Sequence, residues 1–152
     1  MTLLNTFGPK TTEAVFARLE KLNYTSKPQW GKMNVAQMLA HLNVTYDLAY
    51  DRIPYSIPGF KKFILKLLVK PLVTNEKPYK KNSHTAPEFI ITNERDFEKE
   101  KSIFIDNIKK TETDGVAFFE GKVSSSFGPM TAKEWSIQFY KHIDHHFTQF
   151  GV

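Results

Sequence analysis

Near its end the chain reads KHIDHHFTQFG, residues 141–151, which puts three of its five histidines within five positions. Imidazole is the side chain that both ligates metals and exchanges protons near neutral pH. Set His142 at zero on a helix. At about 3.6 residues per turn His146 then lies at about 40°, Trp135 at about 20°, Phe139 at about 60° and Phe150 at about 80°. His142 and His146 share an arc with large apolar residues, roughly 6 Å apart along the axis. This H-x-x-x-H spacing lets two imidazoles converge on one ion. His145 falls near about 300°, beside Lys141 and Glu134 on the polar side, and reads as a boundary residue. Asp144, near about 200°, faces water, and Gln149, near about 340°, is placed to touch a ligand or to orient a ligating ring.

A buried imidazole without a partner is costly. A lone pair of helical histidines is therefore also explained by hydrogen bonds to backbone carbonyls or to Gln149. A third inward histidine shifts the balance. In MNVAQMLAHLNVTYDLAY, Asn34 and Gln37 match a capping box that opens a helix running to about Tyr50. On it Met38, His41, Thr45, Leu48 and Ala49 share one face. Three imidazoles from two helices, His41, His142 and His146, can hold a divalent cation and leave positions for water or substrate. Cysteine is absent, so only nitrogen and oxygen donors are available.

Four helical stretches must position these rings. The first spans about Thr12 to Leu22, with Thr11 or Thr12 as cap and Ala14, Val15, Phe16, Leu19 and Leu22 apolar. Pro28 and Gly31 break the chain before the second. The third covers about Glu94 to Lys110 and buries Phe97, Phe104, Ile105 and Ile108. The fourth opens on Thr131, with Glu134 completing a capping box, and runs to Phe150 and Gly151. Between the second and third, Phe60, Phe63, Ile64, Leu67 and Leu68 recur at helical spacing with lysines on the other arc. Such a stripe reads as a short helix packed on the end of the domain, with a membrane-surface helix as the functional alternative. His84 lies in the irregular connection that follows and faces solvent. Val116 to Phe119 and Val123 suggest a small hairpin around Glu120 and Gly121.

The 152 residues suit one domain, 1–152, with 41% apolar and 14% aromatic content and 13 phenylalanines; this excludes a disordered chain. The net charge is +5, but lysines are interspersed with acids, as in NERDFEKEKSIFIDNIKK. With only three arginines, Arg18, Arg52 and Arg95, and no nucleic-acid motif, no nucleic-acid partner is expected. FKKFILKLLVKPLV is too interrupted by lysine to span a bilayer, and the start lacks a signal-peptide pattern. A cytoplasmic protein without a membrane partner is the expectation.

WGKMNVAQMLAHL, residues 30–42, and FGPMTAKEWSIQFYKHIDHHFTQFG, residues 127–151, resemble the DUF1569 family of the DinB/YfiT-like superfamily. The order of elements resembles it over most of the chain. The resemblance implies an all-α fold, a four-helix bundle of DinB/YfiT-like type, to which the residue patterns add a short extra helix and a small β-hairpin. It also implies a divalent metal, nickel or zinc, on His41, His142 and His146. Activities in that superfamily include thiol S-transfer with low-molecular-weight thiols, a maleylpyruvate isomerase branch and hydrolase-like members; a homodimer is expected on the same ground. Where related sequences carry Arg-Gly-Gln after the last histidine, this chain has Phe147-Thr148-Gln149, so only Gln149 matches.

Three functions compete. A basic peripheral membrane or nucleic-acid binder would be marked by strongly salt-dependent binding. The other two centre on the histidines. One is a metal-dependent enzyme acting on a small-molecule substrate, with Gln149, Tyr46, Trp135 and His145 around the metal or lining the pocket, and with Glu120 or Tyr46 as acid/base candidates. The other is a non-catalytic helical bundle, with structural metal or none, serving as a binding module. An enzyme needs an open coordination position facing a pocket, whereas a structural site is closed by a fourth protein ligand.

Overall fold

A computed structural model describes residues 5–152. The fold is mostly helical with one small two-stranded sheet. In chain order come α1 (Pro9–Leu19), α2 (Val35–Ala49), the short α3 (Gly59–Ile64), a π-helical turn (Leu65–Val69) and α4 (Lys70–Thr74). A 3₁₀ turn (Pro87–Phe89) precedes the two long helices α5 (Phe97–Phe119) and α6 (Ala132–Gln149). Helix α2 packs on α5 and α6, and α1 packs on the same two. Their shared interior is aromatic: Tyr46 stacks on Phe139, Trp135 stacks on the other side of the cluster against Phe139, and Phe119 meets both Phe139 and Trp135. No helix among the described residues is long and apolar enough to cross a membrane.

The helix starts follow their capping chemistry. Asn34 accepts from the Gln37 backbone N–H while the Gln37 side chain takes the Asn34 N–H, and Thr131 and Glu134 make the same reciprocal pair on α6. Helix α1 starts earlier than its threonines suggest. Pro9 occupies the first turn behind Gly8, because a residue with no N–H loses nothing there. Thr11 and Thr12 are buried inside the helix instead, bonded to the Asn5 carbonyl and to Glu112.

Three further expectations are corrected. Val116 to Phe119 is helical, not a strand. Gly115 takes φ 67°, kinks α5 and lets it resume for one more turn. The hairpin is displaced to Val123–Ser124 against Gly128–Pro129, with Val123 opposite Pro129 and Ser124 opposite Gly128. Finally, Phe60, Phe63, Leu67 and Leu68 are exposed, and Leu65, Val69 and Val73 are the residues that pack against the core. Pro71 accounts for the widened turn before it: a proline ring inside a helix clashes with the carbonyl four residues back, and a π turn relieves that contact.

Lys141 departs from the polar side assigned to it. It is 2% exposed, and its ammonium donates to the carbonyls of Leu72 (2.6 Å) and Asn75 (3.2 Å) and to Asn75 Oδ1 (3.0 Å). The ammonium also lies 4.5 Å from the Tyr79 ring centre. Burial lowers its pKa. Lysine here caps the C-terminal end of α4 and fastens the 65–75 segment to α6, satisfying carbonyls a helix end leaves open. Lys141→Met is expected to cost about 1–3 kcal/mol, the penalty for unpaired buried carbonyls, and to accelerate amide exchange across residues 65–75 ahead of the other helices. Hydrogen-exchange mass spectrometry of the variant checks this; uniform exchange rates along both chains would contradict it.

Candidate metal centre

Helix α2 forms the first wall of the site, with His41 and Thr45 one turn apart on the same face. The second wall is α6, where His142 and His146 are again one turn apart. The packing of α2 on α6 brings the three rings together, with centroids 4.6–4.9 Å apart. One ligand nitrogen from each of His41, His142 and His146 lies within 4.8 Å of the others. His41 and His146 are buried and His142 is half-buried, turned to a cavity.

Each ring is oriented through its far nitrogen. His41 Nδ1 lies 2.8 Å from the Phe89 carbonyl, which only accepts, so this nitrogen carries the proton and Nε2 is a bare lone pair. His146 Nδ1 lies 2.8 Å from Gln149 Oε1. The Gln149 amide is itself fixed, since its Nε2 donates to the Trp30 carbonyl at 2.7 Å. His146 therefore also donates from Nδ1 and leaves Nε2 bare. His142 Nε2 sits 2.8 Å from His41 Nε2, and its Nδ1 sits 2.9 Å from Thr45 Oγ1. Without a cation, His142 donates from Nε2 to His41 and accepts from the Thr45 hydroxyl. With its proton on Nδ1 instead, it donates to the same hydroxyl and frees the third lone pair. Thr45 serves both tautomers because a hydroxyl both donates and accepts.

Electrostatics favours the same state. Burial, then repulsion from His41 and His146, holds the His142 pKa well below the ordinary value. Burial, with His41 next, pushes His146 down to about 3, although its bond to Gln149 works the other way. His41 is lowered chiefly by burial, against the opposing bond to Phe89. Neutral imidazoles are the metal-binding form. Three neutral rings with outward protons and converging lone pairs fit a divalent cation of the kind that imidazole ligates.

The support for His146 extends to the loop before α2. Gly31 has φ +84°, and a Cβ there would lie 2.5 Å from Gln149 Nε2. The Gln29 N–H also donates to the Gln149 carbonyl at 2.7 Å. Only glycine lets the loop approach closely enough for Trp30 to hold the amide.

Above the rings lies a cavity of about 360 Å³. Leu65, Val69, Val73, Phe89 and Phe127 give it apolar walls, and Thr85 and Ser124 to Ser126 add hydroxyls. Trp135 and His145 line it too; Trp135 donates to the Lys122 carbonyl, and the His145 ring meets Trp30 and Tyr79 edge-on. His84 is exposed and contributes to the rim. Tyr46 is placed elsewhere. It is packed in the aromatic core, outside the cavity lining, and its hydroxyl has no partner among the described residues. Glu120 is also away from the rings, accepting from the Ala132 N–H at the start of α6. Sequence reasoning missed Thr45 as a ring-orienting group, although its place one turn after His41 was the available signal. It missed Phe89 and Gln138 as well. Gln138 lines the cavity with an Oε1 that lacks a partner among the described residues.

The architecture defines a helical domain with a tri-histidine cluster at the floor of a cavity. The chain belongs to the family described as "Protein of unknown function (DUF1569)", whose profile matches residues 7–151. No curated protein and no solved structure matches it.

Two outcomes follow from this geometry. Gln149→Leu removes both the acceptor for His146 and the tie to Trp30. It is expected to weaken divalent-metal binding by about 10–100-fold, read by competition with a chromophoric chelator, with the helical circular dichroism retained. The lowered pKa values set a pH window. Unfolded histidines take up protons below about 6.5, whereas the folded rings resist, so stability of the metal-free protein falls as pH drops below that value. Urea midpoints in chelator should decline between about pH 6.5 and 5, before most carboxylates titrate, and decline less in a His41→Asn/His142→Asn/His146→Asn variant. Parallel profiles would contradict the assignment.

Proposed function

We propose that this protein is a metal-dependent enzyme of DinB/YfiT-like type, using one divalent cation, nickel or zinc, on His41, His142 and His146. The observation that carries this reading is the convergence of one ring nitrogen from each histidine at the base of a cavity, with no fourth ligand in the cluster among the described residues. A structural site would be closed by another side chain. When bound, the cation supplies Lewis acidity, lowering the pKa of a ligated water or thiol and polarising a substrate group.

The protein's own contribution is orientation and exclusion of water. Phe89, Thr45 and Gln149 fix the rings, and the apolar walls admit a small, largely apolar molecule. Gln138 Oε1 offers an acceptor for a substrate N–H or O–H. No carboxylate lines this cavity among the described residues. Hydrolysis ordinarily draws on a positioned base for water and an acid for the leaving group, most often His and next Asp or Glu; here His84 and His145 are the lining groups that could take that role. A thiol ionises far more readily than water and then needs no further base. Transfer of a low-molecular-weight thiol is the reading that asks least of the lining, and hydrolysis would draw on His84 or His145.

The test is metal analysis of protein purified without a nickel column. Wild type and His145→Ala are expected to carry stoichiometric metal, and His41→Ala and His142→Ala to carry none. Equal content in all four would discard the site. For the thiol reading, mercaptoethanol added to cobalt-loaded protein is expected to produce a sulfur-to-metal charge-transfer band; an unchanged spectrum would count against it.

A further inference from the structure

The segment from Gly59 to Thr74 is apolar on two sides, and the domain covers only one of them. Leu65, Val69 and Val73 turn inward, packing on the core and lining the cavity. Phe60 is 78% exposed, and Phe63, Leu67, Leu68 and Leu72 are 62%, 61%, 61% and 60% exposed. Side chains of this size form a surface on the order of several hundred Å², beyond what a soluble domain leaves uncovered without a use. The rings and methyls sit among bases. Between Asp51 and Glu76 the sequence has no acidic residue but carries Arg52, Lys61, Lys62, Lys66 and Lys70.

We propose that this face docks on an anionic lipid bilayer, with Phe60, Phe63, Leu67 and Leu68 entering the headgroup boundary and Lys61 and Lys66 meeting lipid phosphates. An amphipathic surface rich in Phe, Leu and Lys is what binds in the plane of such an interface. Lys70 is already paired with Glu134 at 2.9 Å, whereas Lys61 reaches Glu88 only at 4.0 Å and Lys66 has no acidic partner among the described residues. A second copy of the chain is a poorer occupant. A two-fold contact sets the same patch against itself and brings lysine against lysine with no acid from this segment to offset them. Leu72 belongs both to the exposed face and to the cavity lining, so the docked surface adjoins the mouth of the metal centre. An apolar substrate dissolved in the bilayer would reach the cavity from there.

The experiment is co-sedimentation with phosphatidylcholine vesicles, with and without phosphatidylglycerol, at low and physiological salt. Wild type is expected to sediment with the anionic vesicles and less so as salt rises. Lys66→Glu should weaken binding about fivefold or more. Phe63→Asp/Leu67→Asp should weaken it roughly tenfold or more, with unchanged circular dichroism and metal content. His142→Ala should sediment like wild type, so this inference and the metal reading can fail separately. Wild type left in the supernatant at low salt would overturn the proposal. So would a lipid-free dimer, seen by light scattering, that Phe63→Asp/Leu67→Asp dissociates, because the face would then be a protein interface.

Discussion

Three imidazoles packed this tightly are tolerable only if each knows where its proton is. Charged, they would repel at close range in a poorly solvated interior. Neutral but randomly oriented, they would leave buried donors and acceptors unpaired. The structure resolves both problems with separate partners for each Nδ1: the Phe89 carbonyl, the Thr45 hydroxyl and the Gln149 amide oxygen. The Phe89 and Gln149 contacts turn the His41 and His146 lone pairs inward, and Thr45 lets His142 either donate to His41 or free its own. The features around the rings follow from that constraint, including the glycine at 31, the reach of the Trp30 carbonyl and the placement of the 3₁₀ turn beside α2.

Packing on the far side of α2 complements this arrangement. Asn43, about 200° around the helix from His41, bonds to Glu100 and receives a bond from Asn107, and Arg52 closes the chain on Asn107. Hydrogen-bonded side chains of this kind permit few alternative registers of α2 against α5. A slip of one residue along α2 would carry His41 away from α6 and break this set of bonds at once. The polar network and the histidine cluster therefore constrain one helix from opposite faces.

Helical periodicity was informative wherever one face of a helix is strongly committed. The inward placement of His41, His142 and His146, both capping boxes and the buried Phe97, Phe104 and Ile108 were legible because apolar spacing and cap chemistry agree there. It failed where a segment offers two apolar faces. Residues 60–73 carry one stripe on Phe60, Phe63, Leu67 and Leu68 and another on Leu65, Val69 and Val73, and spacing alone favours the bulkier one. Lys141 was misjudged for a different reason: its partners are carbonyls at the end of a distant helix, which no local pattern encodes. The same holds for Phe89, whose contribution is a backbone oxygen and is independent of its side-chain type. Val116 to Phe119 looks like a strand by composition, but packing of Phe119 against Trp135 and Phe139 outweighs that preference.

The tie between Trp30 and Gln149 has one more consequence. The parts of the candidate metal centre, counted with the groups that aim them, begin at residue 30 and end at residue 149. Contacts so distant along the chain are rewarded only after the intervening loops have closed. No truncated product, and no nascent chain still missing its last turn, can present the finished trio. The assembled trio is thereby a property of the folded domain, since neither helix presents it alone.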